Sequence, residues 1–197
     1  MIMTFTEISE KAGDRLRELV TLPTLIAVSS CIDNEKYSSA SELFDSIAKC
    51  VLGNSDVEYF AEATVAKKAD PVKTAEMRLK NGFNTGGKNV DMKKPPVWSE
   101  LHNYTRNFRY KMHSWVMLDT LLSADEKSDH NKYLDFAVNI AYDWIKKFIL
   151  QQKTDEFAWY DMAVGQRATK LPYMLFRLIQ NKAPKELIFH FILACEI

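Results

Sequence analysis

The stretch DHNKYLDFAVNIAYDWIKKFIL, from Asp129 to Leu150, decides the fold class. Leu134, Ala137, Val138, Ala141, Trp144, Ile145, Phe148 and Ile149 recur every three to four positions, the period that gathers side chains on one face of an α-helix. Lys132, Asp135, Asn139, Asp143, Lys146 and Lys147 fall between them on the opposite face. Upstream, Phe108, Met112, Trp115, Leu118 and Leu122 mark a second helix over Asn103–Ser123, with Arg106, Arg109 and Asp119 turned away from its apolar side. The polar connection Ala124–Asn131 is short enough to fold the two into an antiparallel hairpin.

Further helices are predicted at Thr6–Val20, at Ser39–Leu52 closed by Gly53, at Val57–Lys68, and at Pro71–Lys80 with proline in its first turn. Between Asn81 and Pro96 the helical period lapses, and this stretch reads as a surface loop, either a binding loop or a plain connector. Leu187–Ile197 is largely apolar, with no capping glycine and no basic last turn. It is expected to pack against something beyond the chain or to belong to a longer protein interrupted there. The fold expected is all-α, one helical domain over residues 1–197.

A chain of 197 residues with 47% hydrophobic content is large enough for one core. Lysine plus arginine equals aspartate plus glutamate at 26 each, so no global field steers the chain to nucleic acid or to an anionic membrane. The local exception is Lys88–Lys111. There Lys88, Lys93, Lys94, Arg106, Arg109 and Lys111 face only Asp91 and Glu100, six against two. Cys31, Cys50 and Cys195 are an odd number without CxxC spacing and read as reduced, buried residues. His102, His130 and His190 lack partners at metal-ligand spacing, so neither a metal nor another cofactor is expected. The opening residues carry Glu7 and Glu10 and no basic stretch before an apolar run, so no secretory signal is read. No apolar run approaches the roughly 18 residues of a membrane span.

Two stretches carry more specific information. One runs through Pro95-Pro96-Val97-Trp98, then Asn107-Phe108-Arg109-Tyr110-Lys111-Met112-His113-Ser114-Trp115, and on through Tyr133-Leu134-Asp135-Phe136-Ala137 to Asp143-Trp144-Ile145. The other is Ala158-Trp159-Tyr160-Asp161-Met162-Ala163-Val164-Gly165-Gln166-Arg167-Ala168. In order and approximate spacing the two together resemble the N-terminal helical region of heparinase II/III-type polysaccharide lyases. The resemblance covers roughly residues 97–179 and is most specific over Trp159–Arg167; residues 1–96 share only their helical character.

The resemblance implies an incomplete (α/α) toroid of antiparallel helical hairpins, stacked around a groove that holds an anionic, uronate-containing polysaccharide for β-elimination. In members of that family the catalytic asparagine, histidine and tyrosine lie in later toroid helices and in a β-sandwich, beyond the point corresponding to Ile197. The chain by itself is therefore expected to be an incomplete catalyst.

β-Elimination removes the proton α to a uronate carboxylate, and it needs that carboxylate neutralised, a base near the carbon and an acid for the leaving oxygen. His113, Tyr110, Tyr160 and Arg167 have suitable chemistry, and Trp115 and Trp159 have flat faces for sugar rings. The candidate substrate-binding residues are Trp159, Tyr160, Asp161, Arg167, His113, Arg109 and Asn107; none is assigned a catalytic role. Bland readings stand beside these. Trp115 and Trp144 lie on helical apolar stripes and read first as core. Asp161 and Arg167 either pair with each other across Gly165 or leave the guanidinium to a ligand carboxylate or sulfate. His113 either faces the groove or is an ordinary satisfied helix histidine. A second reading of the whole chain is a helical scaffold that self-associates or docks a protein partner through Leu187–Ile197.

Overall fold

The computed structural model describes residues 70–196. The helices expected at Thr6–Val20, Ser39–Leu52 and Val57–Lys68, together with Cys31 and Cys50, lie outside them. The described residues are mostly helical, with seven α-helices and one short hairpin.

Helix α1, Pro71–Asn81, begins where expected. The Asp70 carboxylate accepts from the backbone N–H of Val72 and Lys73 at 3.0 and 3.2 Å, and Pro71 fills the first turn, where no N–H is needed. Gly82 ends the helix at φ +81°, its N–H reaching the Arg78 carbonyl at 2.7 Å. A Cβ at Gly82 would stand 2.7 Å from the Val90 carbonyl oxygen, so both the dihedral and the space require glycine.

The Asn81–Pro96 stretch departs from the plain loop expected. Strands β1, Phe83–Thr85, and β2, Lys88–Val90, pair antiparallel in the register Phe83 with Val90, Asn84 with Asn89 and Thr85 with Lys88. Gly86 and Gly87 form the two-residue turn, both at positive φ, the backbone that lets a tight turn follow the right-handed strand twist. Phe83 and the following Met92 are buried against the helices.

The helix expected over Asn103–Ser123 is two helices. A 3-10 turn, Trp98–Asn103, precedes α2, Arg106–His113, which Thr105 caps by accepting from the Phe108 N–H. The chain then breaks at Trp115, in left-handed backbone at φ +58°. After a 3-10 turn at Val116–Leu118 it resumes as α3, Asp119–Glu126. A bulky residue in that conformation costs roughly 1–3 kcal/mol and persists only where its surroundings over-determine it. Here the Trp115 side chain is fully buried, edge-on to Trp144 at 5.4 Å. Asp119, expected to face outward, is instead buried in an ion pair with buried Lys170 at 3.0 Å.

Helix α4, Lys132–Ile145, follows a short connection and packs on α3. Its eight-residue apolar stripe is buried throughout, and Tyr133 and Ile140 widen it. Its last turn, Lys146–Leu150, is π-helical, a widening the 3.6-residue period does not announce. Helices α5, Asp161–Ala168, α6, Leu171–Gln180, and α7, Lys185–Glu196, complete the described chain. Tyr173 and Arg177 of α6 both reach the buried Asp125 carboxylate of α3, at 2.8 and 3.1 Å.

Much of the apolar run near the end is buried against other described residues. Ile188, Phe191, Ile192, Leu193 and Ala194 are buried, and α7 packs on α4 and α6 of the same chain. No helix among the described residues is long and apolar enough to cross a membrane.

Candidate functional site

The residues that carry the two sequence stretches meet around one guanidinium. Arg167, on the last turn of α5, is 4% exposed. It donates from Nη1 to the His113 carbonyl at 2.7 Å and from Nη2 to the Ala158 carbonyl at 2.6 Å. Its carbon Cζ lies 4.1 Å from the Trp144 ring centre, with Trp115 and Trp159 at 5.8 and 5.9 Å. Burial pushes the group down to about 9, still above neutral pH, so a charged guanidinium is held by two carbonyls and three indole faces in place of water.

The pairing of Asp161 with Arg167 does not form. Asp161 is exposed and accepts from the Met162 N–H at 2.7 Å, in the first turn of α5, where a carboxylate meets the positive end of the helix. Arg167 has both ends on backbone carbonyls. Trp159 is half-buried and lines, with Trp144, Arg167 and Leu171, a cavity of about 90 Å³.

His113, at the end of α2, is fully buried. The Trp144 indole donates to its Nδ1 at 3.1 Å, which makes Nδ1 the acceptor and puts the ring proton on Nε2. Nε2 faces Asp155 Oδ1 at 3.5 Å, too long for a good hydrogen bond. Burial pushes His113 down to about 4, with the Asp155 carboxylate opposing and the Arg167 and Arg109 guanidiniums adding to the fall. At neutral pH it is an uncharged internal ring, packed at 5.6 Å from Trp98 and 5.1 Å from Phe148. Trp98 in turn donates to Asp143 Oδ2 at 2.7 Å, tying the 3-10 turn to α4.

Arg109, one turn before His113, is directed away from the solvent. Its Nη2 contacts both Asp155 oxygens at 3.2 Å, its Nη1 reaches Glu156 at 3.0 Å, and its plane lies 4.6 Å from the Phe157 ring centre. Asp155 also accepts from the Phe157 N–H at 2.9 Å, which sets the turn leading into α5. Asp155 and Phe157 were not among the sequence candidates. Their only sequence signal is the acidic pair Asp155-Glu156 just before the Trp159 element.

What remains at the surface is a rim on α2 and the start of α5. Asn107 is exposed, Tyr160 is 40% exposed, and Tyr110 stands edge-on to Tyr160 at 6.2 Å. Tyr160 also meets Phe157 at 6.0 Å, and Arg106 lies 5.7 Å over Phe157. Of the seven candidates, Asn107, Tyr160 and Asp161 are thus at the surface, Trp159 and Arg109 are half-buried, and His113 and Arg167 are inside. A separate open groove of about 580 Å³ runs between α4, α6 and α7, bordered by Asn139, Tyr142, Asn181 and Glu186, none of them a site candidate.

In comparisons with known proteins, no family model matches the chain, and no curated protein or solved structure matches it either.

Proposed function

We propose that the chain is a heparinase II/III-like helical domain, built of helical hairpins as part of an (α/α) toroid, whose Tyr110–Tyr160 rim holds an anionic, uronate-containing polysaccharide for β-elimination. One observation carries the reading: the two resembling stretches converge on Arg167. Its guanidinium spans the His113 carbonyl of one and the Ala158 carbonyl of the other, against Trp144. Residues that recur together for a shared architectural reason are expected to meet in this way. In this reading Arg167, His113, Trp115 and Trp144 hold the wall, and Asn107, Tyr160 and Asp161 meet the sugar. Arg109 shapes the rim through Asp155 and Glu156. With His113 and Arg167 committed to the interior, proton transfer would draw on groups beyond this cluster, so the chain alone binds without efficient cleavage.

The test is binding of uronate oligosaccharides, sulfated and unsulfated, to the wild type and to Tyr160→Ala and Asn107→Ala. Weaker binding with unchanged melting temperature supports the proposal; no binding to any uronate chain refutes it. Rapid release of unsaturated uronate by this chain alone would refute the claim that further groups are needed.

A further inference from the structure

We infer that the cavity beside Arg167 binds a small aliphatic monocarboxylate, whose charge the guanidinium takes and whose carbon tail the surrounding helices enclose. The cavity, of about 90 Å³, lies where α4, α5, α6 and α7 meet. Trp144, Trp159, Leu171 and Ala194 wall it together with Arg167, and exposed Ala168 and Pro172 border it where it meets solvent. Arg167 is one of two buried cations among the described residues. The other, Lys170, has a carboxylate of its own, Asp119 at 3.0 Å. Arg167 has neutral partners alone. The His113 and Ala158 carbonyls use two of the five N–H groups that a guanidinium carries, and indole rings lie against it. Burial lowers its pKa, and no neighbouring acid opposes the fall. A charge held away from water is stabilised far more by an opposite charge than by neutral dipoles. A carboxylate that reaches the remaining N–H groups through the cavity gains charge-assisted hydrogen bonds where the dielectric is low.

The walls decide which anion suits. Apart from Arg167 and Cys195, the side chains that line the cavity are apolar or aromatic. Sulfate or phosphate would give up water from every oxygen against a single cation. A monocarboxylate places both oxygens on the guanidinium fork and offers hydrocarbon to everything else. The volume is below the roughly 150 Å³ of a hollow that holds benzene, which points to a ligand of about four to six non-hydrogen atoms, acetate to butyrate in size. None of the rim residues Asn107, Tyr110, Tyr160 and Asp161 lines this cavity, so the inference stands apart from the glycan-binding reading.

The experiment titrates the full chain with butyrate at neutral pH and constant ionic strength, followed by calorimetry and by tryptophan emission, since Trp144 and Trp159 line the cavity. Butyramide, the neutral isostere, and sulfate are the controls. The expected result is saturable butyrate binding with a Kd on the order of 1 mM, about tenfold or more tighter than either control. Ala168→Phe, at an exposed position, fills the mouth and should weaken butyrate about tenfold or more, with the melting temperature of the free protein unchanged. Butyramide binding as tightly as butyrate reveals an apolar hollow without charge recognition and overturns the inference. Sulfate binding as tightly or more so overturns it, as does the lack of any butyrate saturation up to about 50 mM. Unaltered butyrate affinity in Ala168→Phe places the binding elsewhere and overturns it too.

Discussion

His113 makes the stability of this protein fall as the solution is acidified from neutrality, and the size of the fall follows from its surroundings. In the unfolded chain the imidazole takes a proton near its ordinary 6.5; folded, burial among Trp98, Trp144 and Phe148 holds it at about 4. Above pH 6.5 both states are neutral and the group contributes nothing to the pH dependence. Between 6.5 and 4 the unfolded chain binds a proton that the folded protein does not, so acidification favours unfolding. At about 1.4 kcal/mol per pH unit, the loss reaches about 3 kcal/mol by pH 4. His190, also lowered by burial, acts in the same direction, while Asp125, raised by burial, takes up its proton more readily when folded and acts in the opposite one. The measurement is therefore a difference. Urea unfolding followed by circular dichroism, at intervals from pH 7 to 4, compares the wild type with His113→Gln, whose amide oxygen can still accept from Trp144. The variant should be less stable at pH 7 and should lose about 3 kcal/mol less on the way to pH 4. Parallel curves for the two proteins would refute the reasoning.

Three further outcomes are expected. Arg167→Lys keeps the charge but cannot span the His113 and Ala158 carbonyls, and should cost about 3 kcal/mol in chemical denaturation. Lys170→Met leaves the buried Asp119 carboxylate without its ion-pair partner and should cost about 3–5 kcal/mol at neutral pH, by the same measurement. Gly82→Ala forces a Cβ toward the Val90 carbonyl at φ +81° and should lower stability by at least about 1 kcal/mol, visible as a depressed melting temperature.

Regular parts of the fold were legible because one local rule governed each. The α4 stripe is an unbroken 3.6-residue pattern, and α1 carries its own cap, proline and terminal glycine. The hairpin within Asn81–Pro96 was missed, although Gly86-Gly87 between extended residues is a tight-turn signal. The break at Trp115 was not legible. Phe108, Met112, Leu118 and Leu122 stay buried on either side of it, so the apolar period runs on while the backbone reverses its dihedral, and the cause is tertiary packing on Trp144. The surroundings of Arg167 were hidden in the same way. Asp161 and Arg167 are near in sequence, yet Arg167 is bound by carbonyls, one of them 54 residues away. The basic stretch looked unpaired because its acidic partners, Asp155 and Glu156, sit more than 40 residues downstream of Arg109.

The clustering around Arg167 has a practical consequence. All four tryptophans of the chain belong to it: Trp115, Trp144 and Trp159 face the guanidinium, and Trp98 joins through His113 and Phe148. Tryptophan emission, excited apart from that of the tyrosines, thus originates in one small volume, and neighbouring indoles there are close enough to exchange excitation. A shift of that emission to longer wavelength reports water reaching this one place, giving a label-free readout of its integrity.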